Sequence, residues 1–248
     1  MKNPINGSEY NYDLIPAELK SIPNWVLWRL EERFKAGKTS GNTKVPYSPK
    51  TGKKAKSNDS STWSTFEVAH AVALQNPPHG NKGYHGIGFM FTLECGYTGI
   101  DIDHCRDPNT GIITPYARYY IDKFYSYTEV SPSGAGVHIY PKAILPSTGR
   151  RKDNIEFYNN ARYFTVTGWH LPGTPLEIYD RQQELNEIYQ ELFGEDKQQP
   201  AEQEEIIVPT TIDMFELTRR AQNDNKFQTL FSGNTSGYPS QSEADLAL

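Results

Sequence analysis

The chain has 248 residues but only two cysteines, Cys95 and Cys105, and no group of Cys and His at zinc-binding spacing. That argues against a disulfide-stapled scaffold and against a structural zinc element, and predicts two small buried thiols. No apolar run approaches the roughly 20 residues that cross a bilayer. The opening "MKNPINGSEYNYD" has neither the basic nor the apolar part of a secretory leader. A cytoplasmic protein without a membrane partner is the expectation. A basic excess is also missing: 25 Lys and Arg stand against 30 Asp and Glu, a net charge of −5. This excludes a protein that coats nucleic acid through uniform positive charge, but not one with a local basic groove. Much of the acidic balance sits in one stretch, "LFGEDKQQPAEQEEIIVP", with five acids and one lysine.

What is present alternates between helix and strand signals. "PNWVLWRLEERFKAGKTSGNTKVPYSP" reads as a strand with Val26, Trp28 and Leu30 on one face, a basic loop, and a second strand. "DSSTWSTFEVAHAVALQ" reads as a helix with a Ser/Thr start and Phe66, Ala69, Val72 and Ala73 at helical spacing. "GYHGIGFMFTLECGYTGIDIDHC" reads as two strands joined by a turn, with glycines where backbones approach closely. "TPYARYYIDKFYSY" gives a second helix, with Ala117, Tyr120, Ile121 and Phe124 on one face. "YTEVSPSGAGVHIYPKAIL" is a loop feeding a strand, and "NIEFYNNARYFTVTG" is two strands across an Asn-Asn turn. "PLEIYDRQQELNEIYQELFG" forms a closing helix with Leu185, Ile188, Tyr189 and Leu192. The mixture lacks a strict βαβ rhythm, so the expected class is α+β with antiparallel pairing. A catalytic domain over 1–195, a polar acidic linker over 196–209 and the start of a helical region over 210–248, cut at Leu248, complete the division.

Four features bear on chemistry. In "YTGIDIDHC", Asp101 and Asp103 alternate with Ile100 and Ile102, so both carboxylates share a face. They could hold one or two divalent cations, or lie on a solvent-facing edge strand. "SPSGAGVH" is a small-residue loop whose amides suit a phosphate, with His138 entering the next strand; a structural histidine is the plainer reading. Glu156 in "IEFY" points away from Ile155 and Phe157, as a third carboxylate or an exposed strand glutamate. Arg162 opens "RYFTVTG" as a triphosphate clamp or a surface ion pair. Together these suit metal-dependent phosphoryl transfer. Trp25, Trp28 and Trp63 fit core packing better than base stacking.

"GIDIDHC", "YTEVSPSGAGVHIY", "IEFY" and "RYFTVTG" together resemble the motifs of the archaeo-eukaryotic primase superfamily, in its phage and plasmid primase-polymerase branch. "PNWVLWR", "KVPYSPKTGKKA" and "STWSTFEVA" are similar to the amino-terminal part of that branch, and "SQSEADLAL" to the start of its helical region. The resemblance implies two packed α/β modules, one with an RNA-recognition-like antiparallel sheet, followed by a helical tail. It implies a template-directed primase and polymerase that uses nucleoside triphosphates on single-stranded or primed DNA, with a helicase-like half further on. Asp101, Asp103 and Glu156 then correspond to the acids that hold two Mg²⁺ or Mn²⁺ ions. His138 and Arg162 correspond to phosphate contacts. Gly136 replaces the family's usual small hydroxyl residue, so Ser131, Ser133 or loop amides take that role. Lys44 and the lysines of "PKTGKKAK" are candidates for triphosphate or template contact. Many relatives carry a zinc element whose ligands this chain lacks. The alternatives are a metal-dependent nuclease, against which Glu156 is followed by Phe157 and Tyr158 with no lysine two positions on, and a non-catalytic DNA-binding replication module.

Overall fold

The computed structural model describes residues 10–194, apart from 36–37, 81 and 148, and all of these lie within one compact unit, Met1–Asp196. The linker expected over 196–209 and the helical region over 210–248 lie outside the described residues. Four α-helices, α1 (Ala17–Lys20), α2 (Phe66–Gln75), α3 (Pro115–Phe124) and α4 (Gln182–Phe193), accompany two antiparallel sheets. The mixed α+β class is therefore as expected.

The first sheet contains β1 (Trp25–Lys35), β2 (Lys38–Tyr47), β3 (Gly86–Phe91) and β9 (Arg162–Val166), in the order β2-β1-β3-β9. β1 and β2 pair as a hairpin from Leu27 opposite Tyr47 to Lys35 opposite Lys38, so most of the segment read as a basic loop is strand. Trp25 and Phe89 face α2, where Phe66, Ala69 and Ala73 are buried at the helical spacing seen in the sequence. Trp25, Trp28 and Trp63 are all buried, and the Trp63 indole donates to the Lys56 carbonyl at 2.7 Å.

The second sheet contains β4 (Gly99–Ile102), β5 (Thr128–Val130), β6 (Val137–Ile139), β7 (Arg150–Lys152) and β8 (Ile155–Tyr158), in the order β5-β6-β4-β8-β7. Its apolar face, with Ile100, Ile102, Val137, Ile139, Ile155 and Phe157, packs against α3 and α4. α3 begins as its sequence dictates: the Thr114 hydroxyl accepts from the Ala117 amide at 3.3 Å, and Pro115 occupies the first turn. The opposite face turns toward the first sheet through an aromatic layer. There Phe91 meets Phe164 edge-on at 5.1 Å and stacks with Tyr140 at 6.1 Å.

β3 and β4, adjacent in sequence, lie in different sheets, as do β8 and β9. The turns read from the sequence therefore carry the chain between sheets and do not close hairpins. β5 falls in a segment that reads as loop, and β7 in one without a strand signal. Each has three residues, too few to display a period of two. Cys105 is buried as expected and Cys95 is half-buried; both are free thiols. Among the described residues no helix is long and apolar enough to cross a membrane.

Candidate active site

The alternation of β4 sends Ile100 and Ile102 into the helical layer and Asp101 to the other face. Strand register then builds a line across the whole sheet. Asp101 lies opposite His138 on β6 and opposite Glu156 on β8. His138 lies opposite Glu129 on β5, and Glu156 opposite Arg151 on β7. One residue from each of five strands thus forms the row Glu129, His138, Asp101, Glu156, Arg151. Asp103 follows just beyond β4, half-buried, its amide donating to the Asn154 carbonyl at 2.8 Å.

The row is electrostatically mixed. His138 Nε2 is 3.7 Å from Asp101 Oδ1, and His138 Nδ1 is 3.4 Å from Glu129 Oε1. Burial pushes the Asp101 carboxyl above its ordinary value; His138 opposes this, Asp103 adds to it, and Lys44 and Glu156 follow with opposite signs. Asp101 Oδ1 is buried without a hydrogen-bond donor, a costly condition for a carboxylate oxygen. Glu156 is the reverse case. Arg151 Nη1 lies 2.8 Å from its Oε1, and Arg162 Nη2 lies 3.3 Å from its Oε2. The Arg162 guanidinium also covers the Tyr158 ring at 4.5 Å.

The first sheet supplies the facing wall. It curls so far that its two edge strands meet: the Tyr163 hydroxyl on β9 donates to the Lys44 carbonyl on β2. A cleft of about 390 Å³ opens there, lined by Lys44, Asp101, His138 and Arg162 among others. Lys44 is exposed as a residue, yet desolvation at the cleft pushes its ammonium below the ordinary lysine value, while Asp101 and Asp103 pull it back up. The lysines of "PKTGKKAK" are exposed and do not line the cleft; Lys54 pairs with Glu31 at 3.1 Å.

Four of the residues singled out from the sequence therefore share one cleft, and Asp103 and Glu156 flank Asp101. The serine–glycine loop does not line this cleft but packs against the end of β4, where a Cβ at Gly136 would lie 3.6 Å from Asp103 Cα. A Cβ at Gly136 would lie 2.8 Å from the Ile102 carbonyl and 3.1 Å from Ser131 Oγ, which explains glycine at this position. The loop is bonded to itself: Ser131 Oγ and Ser133 Oγ are 3.0 Å apart, and Ser133 Oγ accepts from the Ala135 amide. The Ser131 and Gly134 amides donate to Gly136 and Ser131 carbonyls, so three amides expected for phosphate are already engaged.

Two members of the row, Glu129 and Arg151, had not been assigned a role from the sequence. Glu129 lies in "YTEVSPSGAGVH", whose three-residue strand marks no face by itself. Once Val130 and Val137 close a hairpin around the loop, Glu129 must face His138. Arg151 lies on a strand with no apolar pattern and gave no comparable signal.

Among the described residues no three His, Cys, Asp and Glu side chains form a ligand set for a metal ion. The donors nevertheless fit a hard cation at one place. Asp101 offers an unpartnered buried oxygen with Asp103 alongside, and Mg²⁺ is commonly held by one or two carboxylates together with substrate phosphates. Glu156 does not offer free oxygens in this arrangement.

Against known proteins, the chain is 32% identical over 189 residues to a "DNA Primase-polymerase" of Nitratiruptor phage NrS-1. The domain is homologous to part of a phage primase-polymerase. The match takes in 73% of this chain and 23% of the phage relative, so the chain spans about a quarter of that protein's length. No family model matches the chain. The homology agrees with the resemblance carried by the acidic strand, the serine–glycine–histidine segment and the arginine strand.

Proposed function

We propose that this domain extends primers, and starts them, by adding nucleotides to a 3′-hydroxyl on a single-stranded DNA template with release of pyrophosphate, in the cytoplasm of a host cell. The observation that carries the proposal is that one cleft brings the Asp101 carboxylate, with the Asp103 charge close enough to raise its pKa, together with three nitrogen donors, Lys44, His138 and Arg162. Phosphoryl transfer needs both parts: oxygen ligands for cations and donors for the triphosphate.

In this reading Asp101 and Asp103 hold Mg²⁺ or Mn²⁺. Such cations would neutralise charge on the phosphates and lower the pKa of the primer hydroxyl. His138 and Arg162 orient the triphosphate from opposite walls, and Lys44 adds charge at the cleft edge. The incoming phosphates compete with Glu156 for Arg151 and Arg162, and this exchange frees Glu156 to join the acidic side. A helicase-like partner region belongs to the remainder of the longer protein.

The test is a gel assay on primed and unprimed single-stranded DNA with Mg²⁺ or Mn²⁺ and deoxy- or ribonucleotides, beside an Asp101→Ala/Asp103→Ala control. Nucleotide-dependent products that vanish in the control support the proposal. Shortened DNA without nucleotides would replace it with a nuclease. No products under any condition, together with no metal-dependent triphosphate affinity, would leave a non-catalytic module.

A further inference from the structure

Glu129 is completely buried, yet its carboxylate is surrounded by hydrogen-bond donors. Its carboxylate accepts from the Thr167 amide at 3.2 and 3.1 Å and from the Gly168 amide at 2.8 Å. The Tyr127 hydroxyl donates to Oε2 and the Tyr140 hydroxyl to Oε1, each at 3.1 Å. Burial, and then the Glu129 charge, hold both phenols well above their ordinary pKa. His138 Nδ1 completes the set at 3.4 Å from Oε1.

These partners come from two places. Glu129, His138 and Tyr140 belong to the second sheet and its edge. Thr167 and Gly168 directly follow β9, the strand of the first sheet that brings Arg162 to the cleft. A buried carboxylate is tolerated only when donors occupy its lone pairs, so the Glu129 geometry fixes every group that meets it. The ring nitrogens of a histidine are assigned by their partners: a carboxylate that only accepts demands a proton on Nδ1 and leaves Nε2 facing Asp101 and the cleft.

We infer that Glu129 is a positioning residue of this site: it sets the His138 ring with Nδ1 as donor and Nε2 toward the cleft, and pins the end of β9 to the same point. The groups that face each other across the cleft are thereby held in one spacing. The consequence for nucleotide binding rests on the phosphate role proposed for His138, whereas the setting of the ring does not.

The two parts are tested separately. In ¹⁵N-histidine-labelled protein without nucleotide or metal, the His138 imidazole should report a protonated Nδ1. Glu129→Gln keeps the shape but offers an amide donor on one side, so Nδ1 should become an acceptor and the proton should move to Nε2. An unprotonated Nδ1 in the wild type, or the same spectrum in both proteins, would overturn the inference; the wild-type spectrum decides it even if the variant fails to fold. Triphosphate affinity, measured with dATP and Mg²⁺, should fall about 10- to 100-fold in Glu129→Gln, a loss of the order seen when an outer-shell partner that orients a metal-ligating histidine is removed. In a His138→Ala background the same substitution should cause no further loss, and a fully additive loss would overturn action through His138. A wild-type protein that binds no triphosphate would count against the proposed function alone.

Discussion

Gly99 is the residue at which the spacing of the two sheets can be perturbed directly. It precedes Asp101 by two positions on β4 and therefore shares its face. A Cβ there would lie 2.6 Å from Phe164 Cε2, 2.6 Å from Phe91 Cζ and 2.7 Å from Phe91 Cε2. Both rings are buried, and each is locked edge-on against the other, so neither can swing into solvent. Ordinary carbon contacts lie at about 3.5–4.0 Å, so Gly99→Ala requires a displacement of about 1 Å where the sheets meet. Overpacking of a closed core costs about 1–3 kcal/mol. For a domain of this size that corresponds to a fall in Tm of about 2–12 °C. Because Phe164 belongs to the strand that begins at Arg162, the added methyl also moves that wall of the cleft relative to Asp101. The expected result is a lower Tm by scanning calorimetry together with a raised KM for nucleotide. A variant with unchanged Tm and unchanged KM would refute the claim that this glycine sets the approach of the sheets.

Asp101→Asn should lower nucleotide addition by at least about 100-fold, the scale of losing one preorganised electrostatic group. In metal-free buffer it should make the fold more stable at neutral pH. The wild-type carboxyl is raised by burial, so its ionised form is a burden above the folded pKa, and the burden disappears as pH falls below the ordinary Asp value; denaturant titrations at neutral and acidic pH measure this. Lys44, depressed by burial, should lose its proton below the ordinary lysine range, so triphosphate affinity of the wild type should decline at alkaline pH, whereas Lys44→Arg should hold its affinity there. Gly136→Ala places a methyl 2.8 Å from a backbone carbonyl beside Asp103 and should cost about 1–3 kcal/mol in a urea titration.

The sequence displayed the site more fully than the fold that assembles it. Asp101, His138, Glu156 and Arg162 were legible because each sits in a short alternating segment that fixes its face. Their meeting was not legible, because register between strands far apart in the chain leaves no local trace. Lys44 illustrates the difference: as a loop-flanking lysine it was one of several, and only the curl of the first sheet distinguishes it from Lys54. Glu129 is hard to read in the sequence for a related reason. A three-residue strand carries too little periodicity to mark a facing direction, and a glutamate among apolar neighbours stands out only once its donors are known. The pairing of Glu156 with two arginines likewise depends on β7, which no apolar pattern announces.

The order of strands also bears on how the molecule assembles. Everything from β4 to β8 is inserted between β3 and β9, which are neighbours in the first sheet. The insert begins at Gly99 and ends at Tyr158, and these two residues are paired partners. Its ends are therefore adjacent once its own strands have formed, and the entropic cost of closing β3 onto β9 falls accordingly. Pairing within the insert and closure of the outer sheet are therefore coupled, and the closure that sets Arg162 in one cleft with Lys44 sets Asp101 and His138 there too.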